Sequence, residues 1–154
     1  MIHSPRSWQF NIEESKKFLA KAQRLSHFSV EILKENRSII KVVSELHKST
    51  IHLIKAFLDF ERINNNLKIS NEPKKDIMLF FNKIAPKYFD EEESGVMLEL
   101  LKLAKNHKES HLEFVKQEKF IIFSPENCKV LTKNHLNSMI VLLSSAILRF
   151  PEKT

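Results

Sequence analysis

The chain of 154 residues contains one glycine, Gly95, and one cysteine, Cys128. With one glycine, the phosphate-binding loops G-x-G-x-x-G and G-x-x-x-x-G-K cannot be written. With one cysteine, the chain can form neither an internal disulfide nor a zinc site that needs a cysteine pair. These scarcities exclude the nucleotide-binding proteins that use such loops, the disulfide-stabilised folds and the zinc ribbons. We expect no cofactor.

Long apolar runs are also missing. No run approaches the roughly 18 residues that a membrane helix needs, and the N-terminal "MIHSPRSWQF" has no apolar core of a signal peptide. A single cysteine is typical of a reducing compartment. We therefore expect a cytoplasmic protein that does not contact a membrane.

The charge is mildly positive, with a formal net charge of +6 at pH 7. This surplus is compatible with an RNA or DNA partner. The basic residues are interspersed with acidic ones, and no run of five or more Lys or Arg marks a binding segment.

The hydrophobic periodicity is helical along most of the chain, and glycine and proline are nearly absent from the periodic stretches. We predict one domain over residues 1–154. Its fold is an all-α, up-and-down bundle of about five helices that begins with a long helical hairpin. The predicted helices are approximately 11–35, 37–64, 74–89, 91–112 and 132–150.

Several residues mark the ends of these helices. Asn11, Asp90 and Thr132 are predicted N-caps, and three glutamates follow Asp90 where they complement the helix dipole. Asn36 is expected to mark the break after the first helix. Pro86 is expected to end or kink the third.

The second predicted helix has a broad apolar stripe, which is typical of a central helix with neighbours on two sides. His47 lies within this stripe, and we interpret it as a core or interface histidine. The remaining face is charged, and we expect it to be a solvated, salt-bridged edge. Its residues are Glu45, Lys48, His52, Lys55, Asp59 and Arg62.

The short apolar run "KFIIF", Lys119–Phe123, allows two interpretations. It is either a β-strand or an extended segment packed on the bundle. A single strand has no sheet to join unless a second chain supplies one.

The stretch "LAKNHKESHLEF" contains His107 and His111, four residues apart. On a helix, both rings would share a face, so the two histidines are candidate metal ligands. Glu109 lies two residues after His107, whereas the H-E-x-x-H motif of metalloproteases needs a glutamate directly after the first histidine. No third ligand is identifiable, so we predict no metal site here.

The order of the helices, together with the segment "SELHKSTIHLIKAFLDF", resembles the HEPN superfamily, named for higher eukaryotes and prokaryotes nucleotide-binding. The resemblance extends over about residues 18–150. Active members of this superfamily carry an arginine followed by Asn, Asp or His, and then a histidine four to six residues beyond. The resemblance implies a homodimer in which these residues of two subunits meet and cleave RNA without a metal.

The match to that motif is Lys105, Asn106 and His111. The spacing and the second residue fit, but lysine replaces arginine. The resemblance implies that the histidine acts on the 2′-hydroxyl and the cation stabilises the phosphate. An arginine holds a phosphate through a planar fork with two hydrogen bonds, whereas a lysine offers one point charge. The motif is therefore degenerate.

Three functions follow from these observations. The first is a non-catalytic HEPN-like binding protein, a homodimer whose partner is RNA or a nucleotidyltransferase. The second is a weak metal-independent ribonuclease that uses Lys105 and His111. The third is a structural dimeric bundle of unknown ligand.

Overall fold

The computed structural model describes residues 6–125 and 127–151. The helices are α1 (Arg6–Leu25), α2 (Ile39–Asn65), α3 (Pro73–Leu79), α4 (Ala85–Tyr88), α5 (Glu91–Glu109) and α6 (Lys133–Leu148). Three strands, β1 (Leu112–Lys116), β2 (Lys119–Phe123) and β3 (Cys128–Thr132), lie between α5 and α6 in the chain. No helix in the described ranges is both long enough and apolar enough to cross a membrane.

Within the described residues, these segments form five continuous helices, because α3 and α4 belong to one helix. The helix α1 continues as a π-helix over Ser26–Ile32, and α3 continues through a π-helical turn, Phe80–Ile84, into α4. Pro86 follows this π-turn after Ala85. A proline within a continuous helix lacks the N–H for one backbone hydrogen bond, and here it lies next to the local change from π-helix to α-helix. The prediction of about five helices is confirmed. The third helix continues past Pro86 and contains the π-helical turn.

The prediction of a strictly all-α fold is wrong, because β1, β2 and β3 form an antiparallel sheet in that order. The strand interpretation of Lys119–Phe123 is confirmed, and its partners come from the same chain. Gln117 and Glu118 connect β1 to β2 and have φ values of 50° and 64°. Two successive residues with positive φ are typical of a tight type I′ hairpin turn, although neither is the usual glycine or asparagine.

The sheet buries one of its faces. Side chains alternate between the two faces of a strand. Phe120, Ile122 and Leu131 are buried with at most 4% of their surface exposed. They share the inner face of the sheet, which packs against α5 and the helical turn Asn36–Ser38. The sheet thus closes one end of the helical core.

The predicted ends of the first and fourth helices also need correction. The first helix is predicted to begin near Asn11, yet Asn11 lies inside α1, and regular α-helix gives way to π-helix at Ser26. The fourth is predicted to reach residue 112, but α5 ends at Glu109 because Ser110 adopts an extended conformation. The caps of α5 and α6 are confirmed, since Asp90 accepts from the Glu93 N–H and Thr132 accepts from the His135 N–H.

The closest packing in the bundle is between α1 and α2. Ser15 Oγ donates to the Ser49 carbonyl, and Ser49 Oγ donates to the Ser15 carbonyl, each at 2.8 Å. Both serines are fully buried. Small side chains let the two backbones approach, and the reciprocal bonds satisfy the hydroxyl groups that this approach removes from water.

Phe57 is the centre of an aromatic cluster that joins α2 to the other helices. Its ring centroid lies between 4.8 and 6.1 Å from those of Phe80, Tyr88, Phe89 and Phe150. Most of these pairs are edge-to-face, the arrangement that aromatic rings prefer. The cluster connects α2 with α4 and with the end of α6.

The charged edge of α2 is solvated and salt-bridged only in part: Lys48 and Lys55 are exposed as predicted, whereas Glu45 is buried. Glu45 is 6% exposed and pairs with Lys21 of α1 and with Lys48, each at 3.1 Å. His52 stacks on Phe18, with the ring centroids 5.5 Å apart. Its Nδ1 lies 2.9 Å from Asn11 Oδ1, so a neutral ring with its proton on Nδ1 donates this bond.

We predict that Phe57→Ala lowers the free energy of unfolding by about 3–5 kcal/mol, because it leaves a cavity among four rings. The control is Phe28→Ala, since Phe28 is 57% exposed. We expect the control to change stability by less than about 0.5 kcal/mol. Urea denaturation measures both, and an equal loss in the two variants would contradict the packing described here.

We also predict that stability falls as the pH is lowered from about 7.5 to about 5.5. Burial holds the pKa values of His47 and His52 below the ordinary value of 6.5. The nearby cation of Lys48 lowers the pKa of His47 further, and the cation of Lys55 does the same for His52. In this pH range the two histidines therefore bind more protons in the unfolded chain than in the folded chain, and lowering the pH favours unfolding. His52→Asn keeps a donor for Asn11 and removes the titrating ring. We expect a shallower pH dependence in this variant; the same slope as in the parent protein would refute the role of His52.

Candidate functional site

The end of α5 carries the residues that the sequence motif singles out. Lys105 and Asn106 lie in its last turns, and Ser110 follows as the C-cap. The hydroxyl of Ser110 donates to the His107 carbonyl at 2.9 Å, and it lies 3.0 Å from Glu113 Oε2. These contacts fix the path of the chain from α5 into β1.

Lys105 and Asn106 line an open cleft of about 660 Å³ between the end of α5 and the turn that joins β2 to β3. We call it the α5 cleft. The turn is held by Ser124, whose N–H donates to the Asn127 carbonyl at 3.0 Å and whose hydroxyl donates to Asn127 Oδ1 at 3.0 Å. The described residues that line the cleft are Lys102, Lys105, Asn106, Glu109, Ser124, Pro125, Asn127 and Lys129.

Among the described residues that line the α5 cleft, basic side chains outnumber acidic ones. Lys102, Lys105 and Lys129 contribute three positive charges, and Glu109 contributes one negative charge. Lys102 and Lys105 also complement the negative C-terminal end of the α5 dipole. Because lysine ammonium groups bind anions as point charges, the cleft attracts phosphates without fixing their orientation tightly.

His111 is not among the described residues that line the α5 cleft. It lies beyond the end of α5, where its side chain is exposed and its backbone N–H donates to the Phe123 carbonyl at 2.8 Å. The structure thus brings together Lys105 and Asn106 and places His111 at the start of β1.

His107 has a carboxylate partner on β1. Its Nδ1 lies 2.5 Å from Glu113 Oε2 on β1. The expectation that His107 and His111 share a helix face is wrong, because α5 ends between them. In residues 6–125 and 127–151, no group of three or more His, Cys, Asp or Glu side chains is arranged to hold a metal ion.

A second basic cleft, of about 300 Å³, lies at the opposite end of the sheet. We call it the hairpin cleft, because it is formed by the turn between β1 and β2, the start of α6 and the segment after α1. It contains three lysines and one glutamate. The described lining residues are Val30, Lys34, Asn36, Gln117, Glu118, Lys119, Thr132, Lys133 and Asn134.

Sequence reasoning did not find Lys102 or Lys129 as partners of Lys105. Lys102 lies three residues before Lys105 on α5, so the helical spacing alone places the two side chains side by side. The proximity of Lys129 depends on the β2–β3 turn, which returns β3 towards α5. The segment "CKVLT", Cys128–Thr132, does not alternate strictly, because Val130 and Leu131 are both apolar; the β-branched Val130 and Thr132 are the weak signal for β3. A run of five residues that leads directly into a helix is easily assigned to the helix or to a loop.

Comparisons of the chain with protein-family models, curated proteins and solved structures found no match. Function is therefore inferred from the geometry of this chain.

Proposed function

We propose that the protein is a non-catalytic, HEPN-like helical protein that binds RNA through the α5 cleft. The observation that carries this proposal is the convergence of Lys102, Lys105 and Lys129 on one open cleft with Asn106. Lysines supply the sequence-independent attraction to the phosphate backbone. Asn106 and the hydroxyl of Ser124 add hydrogen-bonding groups at the same place.

Two features favour binding over cleavage. A general base must lie within hydrogen-bond reach of the proton that it removes. None of the described lining residues of the α5 cleft is a histidine, and His107 is engaged by Glu113 at 2.5 Å. Lys105 also stands where the motif has arginine, so a phosphate at this position lacks the bidentate contact that stabilises developing charge.

The proposal includes a homodimer, because the HEPN resemblance implies one. A nucleotidyltransferase is the protein partner that the same resemblance implies. Light scattering of the purified chain reports the oligomeric state, and only monomer at micromolar concentration would remove the dimer from the proposal without affecting RNA binding.

We predict that Lys105→Gln/Lys129→Gln weakens binding to a fluorescein-labelled, single-stranded RNA of about 20 nucleotides by about tenfold. Fluorescence anisotropy between about 50 and 200 mM salt measures the affinity. The dependence of log K on log salt should become shallower by roughly 1.4, because each single-strand phosphate contact contributes about 0.7. EDTA is present throughout.

The matched control is Lys68→Gln/Lys74→Gln, which removes the same charge from exposed positions outside the cleft. Equal weakening in both double variants would refute the α5 cleft as the binding site. The same samples are run on denaturing gels. RNA cleavage in EDTA that disappears in His111→Ala would overturn the non-catalytic assignment and favour the ribonuclease alternative.

A further inference from the structure

The outer face of the sheet is apolar and exposed. By the alternation along each strand, this face consists of the side chains opposite to those that enter the core. Leu112, Phe123 and Val130 are 55%, 41% and 46% exposed. The pairing register places Leu112 beside Phe123 and Phe114 beside Ile121. The apolar members of the outer face are Leu112, Phe114, Ile121, Phe123, Cys128 and Val130.

Two aromatic rings lie together on this face. Phe114 and Phe123 are diagonal neighbours on β1 and β2, with ring centroids 5.8 Å apart and ring planes only 25° from parallel. An antiparallel sheet with one face in the core usually has polar side chains on the other. Here both faces are apolar, and a contiguous exposed apolar surface is typical of a binding site.

Positive charge borders the apolar residues at the hairpin end of the outer face. Lys116 and Lys119 pair there, and both side chains are exposed. The hairpin cleft adds Lys34 and Lys133 at the same end. At the other end, β2 and β3 lead into the turn that lines the α5 cleft, where Lys129 lies on the inner face because it pairs with Ile122.

The charges of the outer face favour a polyanion over a second copy of the chain as its partner. Among the described strand residues that share the outer face, Lys116 and Lys119 are basic and none is acidic. The neighbouring acid, Glu118, lines the hairpin cleft, where three lysines outnumber it. A second copy packed face to face would bury lysines and supply no carboxylate from its own outer face, which is costly. A polyanion with flat apolar faces supplies both the missing charge and the stacking surface.

We propose that the outer face is a stacking platform for the bases of a single-stranded nucleic acid, whose phosphates contact the lysines at the hairpin end. Duplex bases are already stacked on each other, so only an unpaired strand can use the rings of Phe114 and Phe123. A sheet of this size accommodates two or three bases. This inference rests on the proposed RNA binding and specifies its substrate as unpaired strands.

The test compares Phe123→Ala with the control Phe28→Ala, which removes a similarly exposed ring outside the sheet. The probes are a labelled single-stranded RNA of about 12 nucleotides and the duplex of the same sequence. We expect Phe123→Ala to weaken single-strand binding about tenfold and to leave duplex binding and the salt dependence unchanged, because no charge is lost. We expect the control to bind both probes as the parent does.

Phe123→Trp keeps the platform and adds a reporter. We expect it to retain single-strand affinity, and its additional indole fluorescence to be quenched when the RNA saturates it. Unchanged fluorescence at saturation would overturn the platform even if Phe123→Ala proved unstable. Single-strand binding by a folded Phe123→Ala at parental affinity would also overturn it.

Failure of the platform is distinguishable from failure of the proposed function. If only Lys105→Gln/Lys129→Gln weakens binding, RNA binds the α5 cleft and the platform is wrong. If neither variant differs from the parent protein, both proposals are wrong. If Phe123→Ala converts a dimer to a monomer without changing RNA affinity, the outer face contacts a second copy, and the platform is again refuted.

Discussion

The enclosure of α2 is the constraint on which the rest of the structure depends. This helix has 27 residues and is about 40 Å long, with an apolar stripe too broad for one neighbour to cover. It packs on α1 through Ser15 and Ser49, on α5, and on α4 and α6 through the rings around Phe57. The remaining end of the core is closed by the small sheet. Each of these surrounding elements therefore covers part of α2 or of the core around it.

The sheet differs from the helices in what it leaves uncovered. Its inner face completes the core with Phe120, Ile122 and Leu131, while its outer face keeps a second set of apolar side chains in water. The two turns of the sheet carry basic clefts, one against the end of α5 and one against the start of α6. An apolar surface with positive charge at its hairpin end matches a flexible polyanion with apolar bases. The candidate site therefore depends on the strands that close the bundle.

The helices were predictable from the sequence, whereas the sheet was foreseen only as one possible strand at Lys119–Phe123. Long stripes such as that of α2 repeat over many turns, and the caps at Asp90 and Thr132 follow from local chemistry. The strands have five residues each, and their hairpin turn, Gln117–Glu118, lacks the glycine or asparagine that usually marks it. Without the sheet, α5 appeared to continue through His111. Lys105 and Asn106 were identified as site residues. Lys102 lies beside them on the same helix through its spacing along the chain, whereas Lys129 joins them only through the fold.

Amide hydrogen exchange followed by NMR tests this architecture most directly. In the structure, β2 is the central strand and bonds to β1 on one side and β3 on the other. The amides of Phe120 and Ile122 should therefore exchange as slowly as those of buried α2 residues such as Leu53. If they exchange as fast as the amides of the exposed turn residues Gln117 and Glu118, the sheet is not formed in solution. The outer face proposed to bind unpaired bases would then not exist.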